Sequence, residues 1–163
     1  MSLPSQLATR FREVMLDGRW VANTNFQDQL SDVNLELATR KTGTHNSIAE
    51  LTFHIHYYIK GLLDVMQGGE LTIRDKYSFD MPNISTEEDW QQLRSRLLED
   101  SESFAQGIEA MSEDEIKGPF VRPEYGTWLR SLDGTIEHAY YHLGQVSLLK
   151  KLLEMHSSSI IDS

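Results

Sequence analysis

Apolar residues recur at helical spacing through most of this chain, and the pattern predicts four long helices. The first spans about residues 4–16, with Leu3, Leu7, Phe11, Val14 and Met15 on one side; Pro4 suits its first turn and Gly18 its stop. Residues 18–46 form a polar connection. A short helix is expected near 25–32, with Trp20 and Phe26 tacking the connection to the core. The second helix opens on the capping-box pattern Ser47-Ile-Ala-Glu50, continues through Leu51, Ile55, Ile59, Leu62 and Met66, and stops at Gly68-Gly69. Residues 70–83 mix aromatic and polar side chains around Pro82 and are expected to be an irregular crossover.

The third helix opens on a second capping-box pattern, Ser85-Thr-Glu-Glu88, and carries Trp90, Leu93, Leu97, Phe104, Ile108 and Met111 as its stripe. One extra turn is expected at 112–117, before Gly118-Pro119 and Pro123 break the chain. The fourth helix covers about 127–155, with Leu132, Ile136, Ala139, Leu143, Val146, Leu149 and Leu153 on its buried side, and 157–163 is expected to be a loose tail. No strand pattern and no repeat competes with this reading. The expected fold is therefore all-α, a four-helix bundle in one domain over residues 1–163.

Composition narrows the chemistry. A chain of 163 residues can bury one proper core. It contains no cysteine, so disulfides and thiolate nucleophiles of its own are excluded, and any bound metal must use His, Asp or Glu. No apolar run is long enough to span a membrane and no signal-peptide core is evident, so the expected location is cytoplasmic. The formal net charge is -10, which disfavours nucleic acid as a partner. Residues 85–115 hold ten Asp/Glu and two Arg, -8 of that total, and read as a solvated helix face.

The six histidines are the informative residues. His138 and His142 are four apart on a strongly patterned helix, so their imidazoles leave one face about 40° apart around the axis, the spacing by which one helix gives two nitrogens to one ion. Both flank the stripe of Ile136, Ala139, Leu143 and Val146. His54 takes the matching place on the second helix, beside Leu51 and Tyr58. His56, two residues on, faces about 200° round and belongs to the other edge, while His45 and His156 are expected to be exposed. Histidines on an apolar flank are also commonly hydrogen-bonded core residues, and spacing alone leaves both readings open. The pair reads His138-Ala-Tyr-Tyr-His142, so the glutamate of the zincin motif is missing, and Glu137 reads as a surface carboxylate.

Two segments, Ser47-Ile-Ala-Glu-Leu-Thr-Phe-His54-Ile and His138-Ala-Tyr-Tyr-His142-Leu-Gly-Gln-Val146, resemble those of the DinB/YfiT-like superfamily in content, order and separation. The resemblance covers the chain from the first helix to about Met155. It implies a four-helix bundle with a long crossover and a metal triad of His54, His138 and His142. Characterised members include metal-dependent transferases and isomerases that use a low-molecular-weight thiol such as bacillithiol or mycothiol. Others are linked to DNA-damage induction, and the family shares only a name with the polymerase called DinB. The 70–83 insertion, with Tyr77, Phe79 and Met81, departs from simple members and reads as a loop pinned to the bundle.

Three neutral imidazoles and an open position suit catalysis, with an ion that ionises a bound thiol or water. The first expectation is a thiol-dependent S-transferase acting on a small-molecule substrate, with Tyr58 and Tyr141 lining the pocket. The alternatives are a metal-dependent hydrolase and a non-enzymatic metal-binding stress protein. Zinc is the default divalent ion, and nickel, iron, manganese and copper are alternatives. Glu50 and Gln145 are candidate partners for the ring N–H groups, with surface or packing roles as the alternative. A homodimer is expected from the resemblance and from base rate.

Overall fold

The computed structural model describes residues 1–161, with side chains described through Met155. Among the described residues the protein is all-helical: seven α-helices, two single 3-10 turns and no strand. The helices are α1 (Leu3–Met15), α2 (Phe26–Leu30), α3 (Leu35–Thr39), α4 (Ile48–Met66), α5 (Glu87–Ala110), α6 (Glu113–Lys117) and α7 (Trp128–Ile161). The 3-10 turns are Asp75–Tyr77 and Pro123–Tyr125.

The long helices start where side chains can take up the orphan amides of their first turns. Ser47 accepts from the Glu50 amide while the Glu50 carboxylate accepts from the Ser47 amide, closing the box that begins α4. The box at α5 lies one residue later than the sequence pattern suggested. Thr86 is the cap and Asp89 its partner, because Asp89 reaches the amides of both Ser85 and Thr86. The first helix ends at its Leu16 cap, and Gly18 follows where an added Cβ would lie 2.3 Å from Glu13 Cα. Gly18 thus serves the close return of the chain past α1.

Packing joins α1 to α5 and α7, and α4 to the same two helices, so the four long helices close into a ring. Its interior holds one continuous apolar cluster, with Phe11, Phe26, Trp90, Phe104 and Ile108 wholly buried. Phe11 of α1 meets Phe104 of α5 edge to face at 4.9 Å. At the rim of this contact Arg12 donates to both Glu102 and Glu109, with four N–O distances of 2.8–3.1 Å. The guanidinium holds both carboxyls below their ordinary range, and the part of the acidic run nearest α1 is a cross-helix clamp.

The connection over 18–46 differs from expectation in two respects. It contains two short helices, α2 and α3, each capped by an asparagine side chain (Asn25 and Asn34). Phe26 is wholly buried as expected, but Trp20 is 84% exposed and does not tack the segment down. That role falls to Trp90, whose indole N–H donates to the Val33 carbonyl at 2.6 Å beneath the connection. At the other end, α7 continues through Ile161, so residues 157–161 are helix rather than loose tail. Residues 162–163 and the His156 side chain lie outside the described residues. No helix among the described residues is long and apolar enough to cross a membrane.

Trp90→Phe keeps most of the buried surface but leaves the Val33 carbonyl without its donor. A loss of about 1–3 kcal/mol of stability is expected, read as a lower urea midpoint at unchanged slope.

Candidate metal centre

The site forms where α4 and α7 pack, and its geometry follows from helical spacing. His54 stands two turns into α4, and His138 and His142 stand one turn apart on α7. All three project into the same seam. His54 and His142 are 7% and 6% exposed, and His138 is half-buried. His138 Nε2 lies 3.2 Å from His54 Nε2 and 2.9 Å from His142 Nε2. One ligand atom from each residue falls within 4.8 Å of the others, so the three could hold a metal ion.

The far side of two rings is fixed. His54 Nδ1 donates to the Ser78 carbonyl at 3.3 Å, and His142 Nδ1 donates to Gln145 Oε1 at 2.7 Å. Each bond places the ring proton on Nδ1 and leaves Nε2 as a lone pair aimed into the seam. His138 Nε2 faces both lone pairs but carries at most one hydrogen, so it can satisfy only one. Two nitrogens bound to one tetrahedral ion at about 2.0–2.1 Å stand about 3.3 Å apart, close to the separations seen. The donor set therefore fits a divalent cation better than it fits itself.

Electrostatics agree. Burial pushes the His138 imidazole down to about 4, with further lowering from His142 and His54. Burial also lowers His54, helped by His142 and opposed by the Ser78 carbonyl and Asp75, and lowers His142 against the pull of Gln145. All three are thereby kept in the neutral, ligating form.

Aromatic and polar groups finish the walls. Phe79 stacks on His54 with centroids 4.1 Å apart. The Tyr58 ring meets His54 and His138 edge-on at 5.1 and 5.2 Å, and its hydroxyl donates to Asp75 at 2.9 Å. Burial and Asp75 together raise the Tyr58 phenol. Tyr141 lies 4.9 Å from His142 but is 64% exposed, so it stands at the rim.

The 70–83 crossover is pinned to α4 and also lines the site. Tyr57 bonds both backbone groups of Arg74, and Gly61 leaves room for Ile73, which an added Cβ would meet at 2.3 Å. Ser78 carries no sequence signal for its role, because the contributing atom is a backbone carbonyl. Of the two candidate partners, Gln145 does hold His142. Glu50 does not reach His54; the α4 capping box and Lys41 occupy its carboxylate. His56 lies apart from the triad, paired with Asp100 of α5 at 2.7 Å. Glu137 is at the surface with Arg130, and His45 is exposed.

An all-helical protein whose three imidazoles converge on one point is of the class able to hold a divalent metal between its helices. The chain belongs to the DinB superfamily, whose sequence model matches residues 19–146, a stretch containing all three histidines. No curated protein and no solved structure matches the chain.

Between the ordinary histidine value of about 6.5 and the folded value of about 4, the unfolded chain binds a proton at position 138 that the folded chain refuses. Stability of the metal-free protein should therefore fall as pH drops through this window. In a thermal melt series, His138→Ala should show a shallower decline from pH 6.5 to 4 than the parent; an equal slope would remove His138 as the cause.

Proposed function

We propose that this protein is a metal-dependent enzyme, a thiol-dependent S-transferase, whose divalent ion is held by His54, His138 and His142. The observation that carries this reading is the convergence of three Nε2 atoms while Ser78 and Gln145 occupy the outer nitrogens of two rings. We read the four long helices as the DinB-type four-helix bundle, with the 70–83 segment as its long crossover. Zinc is the default ion.

When bound by three neutral imidazoles with a position left open, such an ion acts as a Lewis acid that makes a thiol or water ionise near neutral pH. The protein's own groups define the rest. Ser78 and Gln145 fix the ring orientations, so the ligands need little rearrangement. Phe79 covers one side of His54 and limits water there, and the Tyr58 ring packs edge-on beside two of the ligands. With no cysteine in the chain, the attacking sulfur belongs to a low-molecular-weight thiol co-substrate, and a small electrophile is the acceptor. Tyr141, at the rim, is placed to contact whichever substrate enters second.

Elemental mass spectrometry on the untagged protein should find one divalent ion per chain. His54→Ala and His138→Ala should each lose it, at least tenfold in affinity, while keeping their helical circular dichroism. Turnover of small electrophiles should then require both the ion and an added thiol. Turnover equal with and without thiol would instead identify a hydrolase. A parent protein that holds no Zn, Ni, Mn or Fe after reconstitution would end the metalloenzyme reading.

A further inference from the structure

Behind His142, on the side away from the converging nitrogens, the 42–46 loop, the start of α4 and the second half of α7 line a half-open groove of about 440 Å³. That volume falls in the range of small-molecule sites, about 300–1,000 Å³. Leu51, Leu148 and Leu149 supply its apolar wall, and Thr42, Thr44, His45, Asn46 and Gln145 supply polar groups. No Lys, Arg, Asp or Glu lines it.

Two of the polar groups lack protein partners. Gln145 accepts from His142 through Oε1, and its amide nitrogen takes no partner among the described residues. The Thr42 hydroxyl is buried without a hydrogen bond, an arrangement that costs stability unless another group relieves it. Thr42 lines the groove, so a ligand would have to draw that hydroxyl out of its buried position by a turn about χ1.

We propose that this groove binds a small uncharged amphiphile. Its aliphatic chain lies on the leucines, and its carbonyl oxygen accepts from the Gln145 amide and the Thr42 hydroxyl. A carboxylate head is disfavoured, because no Lys or Arg lines the groove, the one imidazole there, His45, is exposed to solvent, and the protein carries a formal net charge of -10. Gln145 therefore borders both sites: its oxygen accepts from His142, and the residue lines the groove, where its amide nitrogen is the donor left for a ligand. A ligand accepting from that nitrogen polarises the amide and strengthens the bond to His142. Binding stands on the groove alone; its coupling to the ion rests on the metal reading above.

The test is a titration of hexanamide into the full-length protein, in zinc-loaded and metal-free forms, followed by NMR of the Gln145 side-chain amide and the leucine methyls. Retained zinc is measured separately, so loss of the metal reading and loss of the groove are distinguishable. Saturable shifts in both forms are expected, with a dissociation constant of about 1 mM, reasonable for a ligand of about eight non-hydrogen atoms. Hexanoate should bind at least fivefold more weakly. Leu148→Gln, at a position 58% exposed, should weaken hexanamide about fivefold without loss of fold. Thr42→Val should weaken it by a similar factor while the unfolding midpoint does not fall, since valine removes a hydroxyl that has no partner. Absence of saturable shifts in both forms, tighter binding of hexanoate, or unchanged affinity in both variants would overturn the proposal.

Discussion

Two rings in the seam between α4 and α7 have given their single hydrogen away from each other. His54 donates to the Ser78 carbonyl and His142 to Gln145, so two Nε2 lone pairs face the same small volume. His138 answers only one of them, at 2.9 or 3.2 Å, and the other stays unsatisfied in a place where water is largely excluded. Protonating a ring would supply a hydrogen, but burial and the neighbouring imidazoles oppose the charge. A divalent cation would resolve the conflict, since it could accept one lone pair from each of the three rings once His138 carries its hydrogen on Nδ1. This constraint is local, and the rest of the architecture can be understood by asking what keeps it in place.

The helices place the nitrogens, and the crossover orients them. Helix α7 alone fixes His138 against His142, because their relative position is one helical turn. His54 depends on the ring of helices staying closed, which rests on the buried cluster around Phe11, Trp90 and Phe104 and on the Arg12 clamp. The orientation of His54 depends in addition on residues 70–83. That segment has only one short turn of regular structure, so side chains of α4 hold it: Tyr57 at Arg74, Tyr58 at Asp75, and the gap at Gly61 that admits Ile73. The same face of α4 therefore carries the candidate ligand His54 and the fixings for the chain that orients it.

How far this was legible in the sequence follows from which forces act. Helical periodicity and capping patterns located the first three long helices and the start of the fourth to within a few residues, because burial of an amphipathic face decides them, while the fourth runs six residues past its expected end. The wheel placed His54, His138 and His142 on matching flanks, and the two family-like segments singled out the same residues. Short elements were harder. Leu35–Thr39 is a five-residue helix whose stability comes from the Asn34 cap and from packing on α4 and α5, neither of which leaves a periodic trace. Trp20 was misplaced because a tryptophan in a polar loop resembles an anchor, whereas the anchoring indole came from Trp90, far along the chain. The Ser78 carbonyl was invisible because any residue has one, and only the path of the crossover brings it to His54.

Glu50 and Gln145 show why spacing cannot rank such partners by itself. Each lies about one turn from a histidine, and each has a side chain long enough to reach it. Glu50 sits at the third position of α4, where the otherwise unpaired amide of the Ser47 cap and the charge of Lys41 compete for its carboxylate and win. Gln145 lies deep inside α7, where the backbone amides are already bonded along the helix and offer no competition, so its carbonyl is left for His142. The difference is the supply of unsatisfied donors, which is high at a helix start and low in its interior. A polar residue one turn from a buried histidine is thus better placed to support its ring in mid-helix than in a first turn.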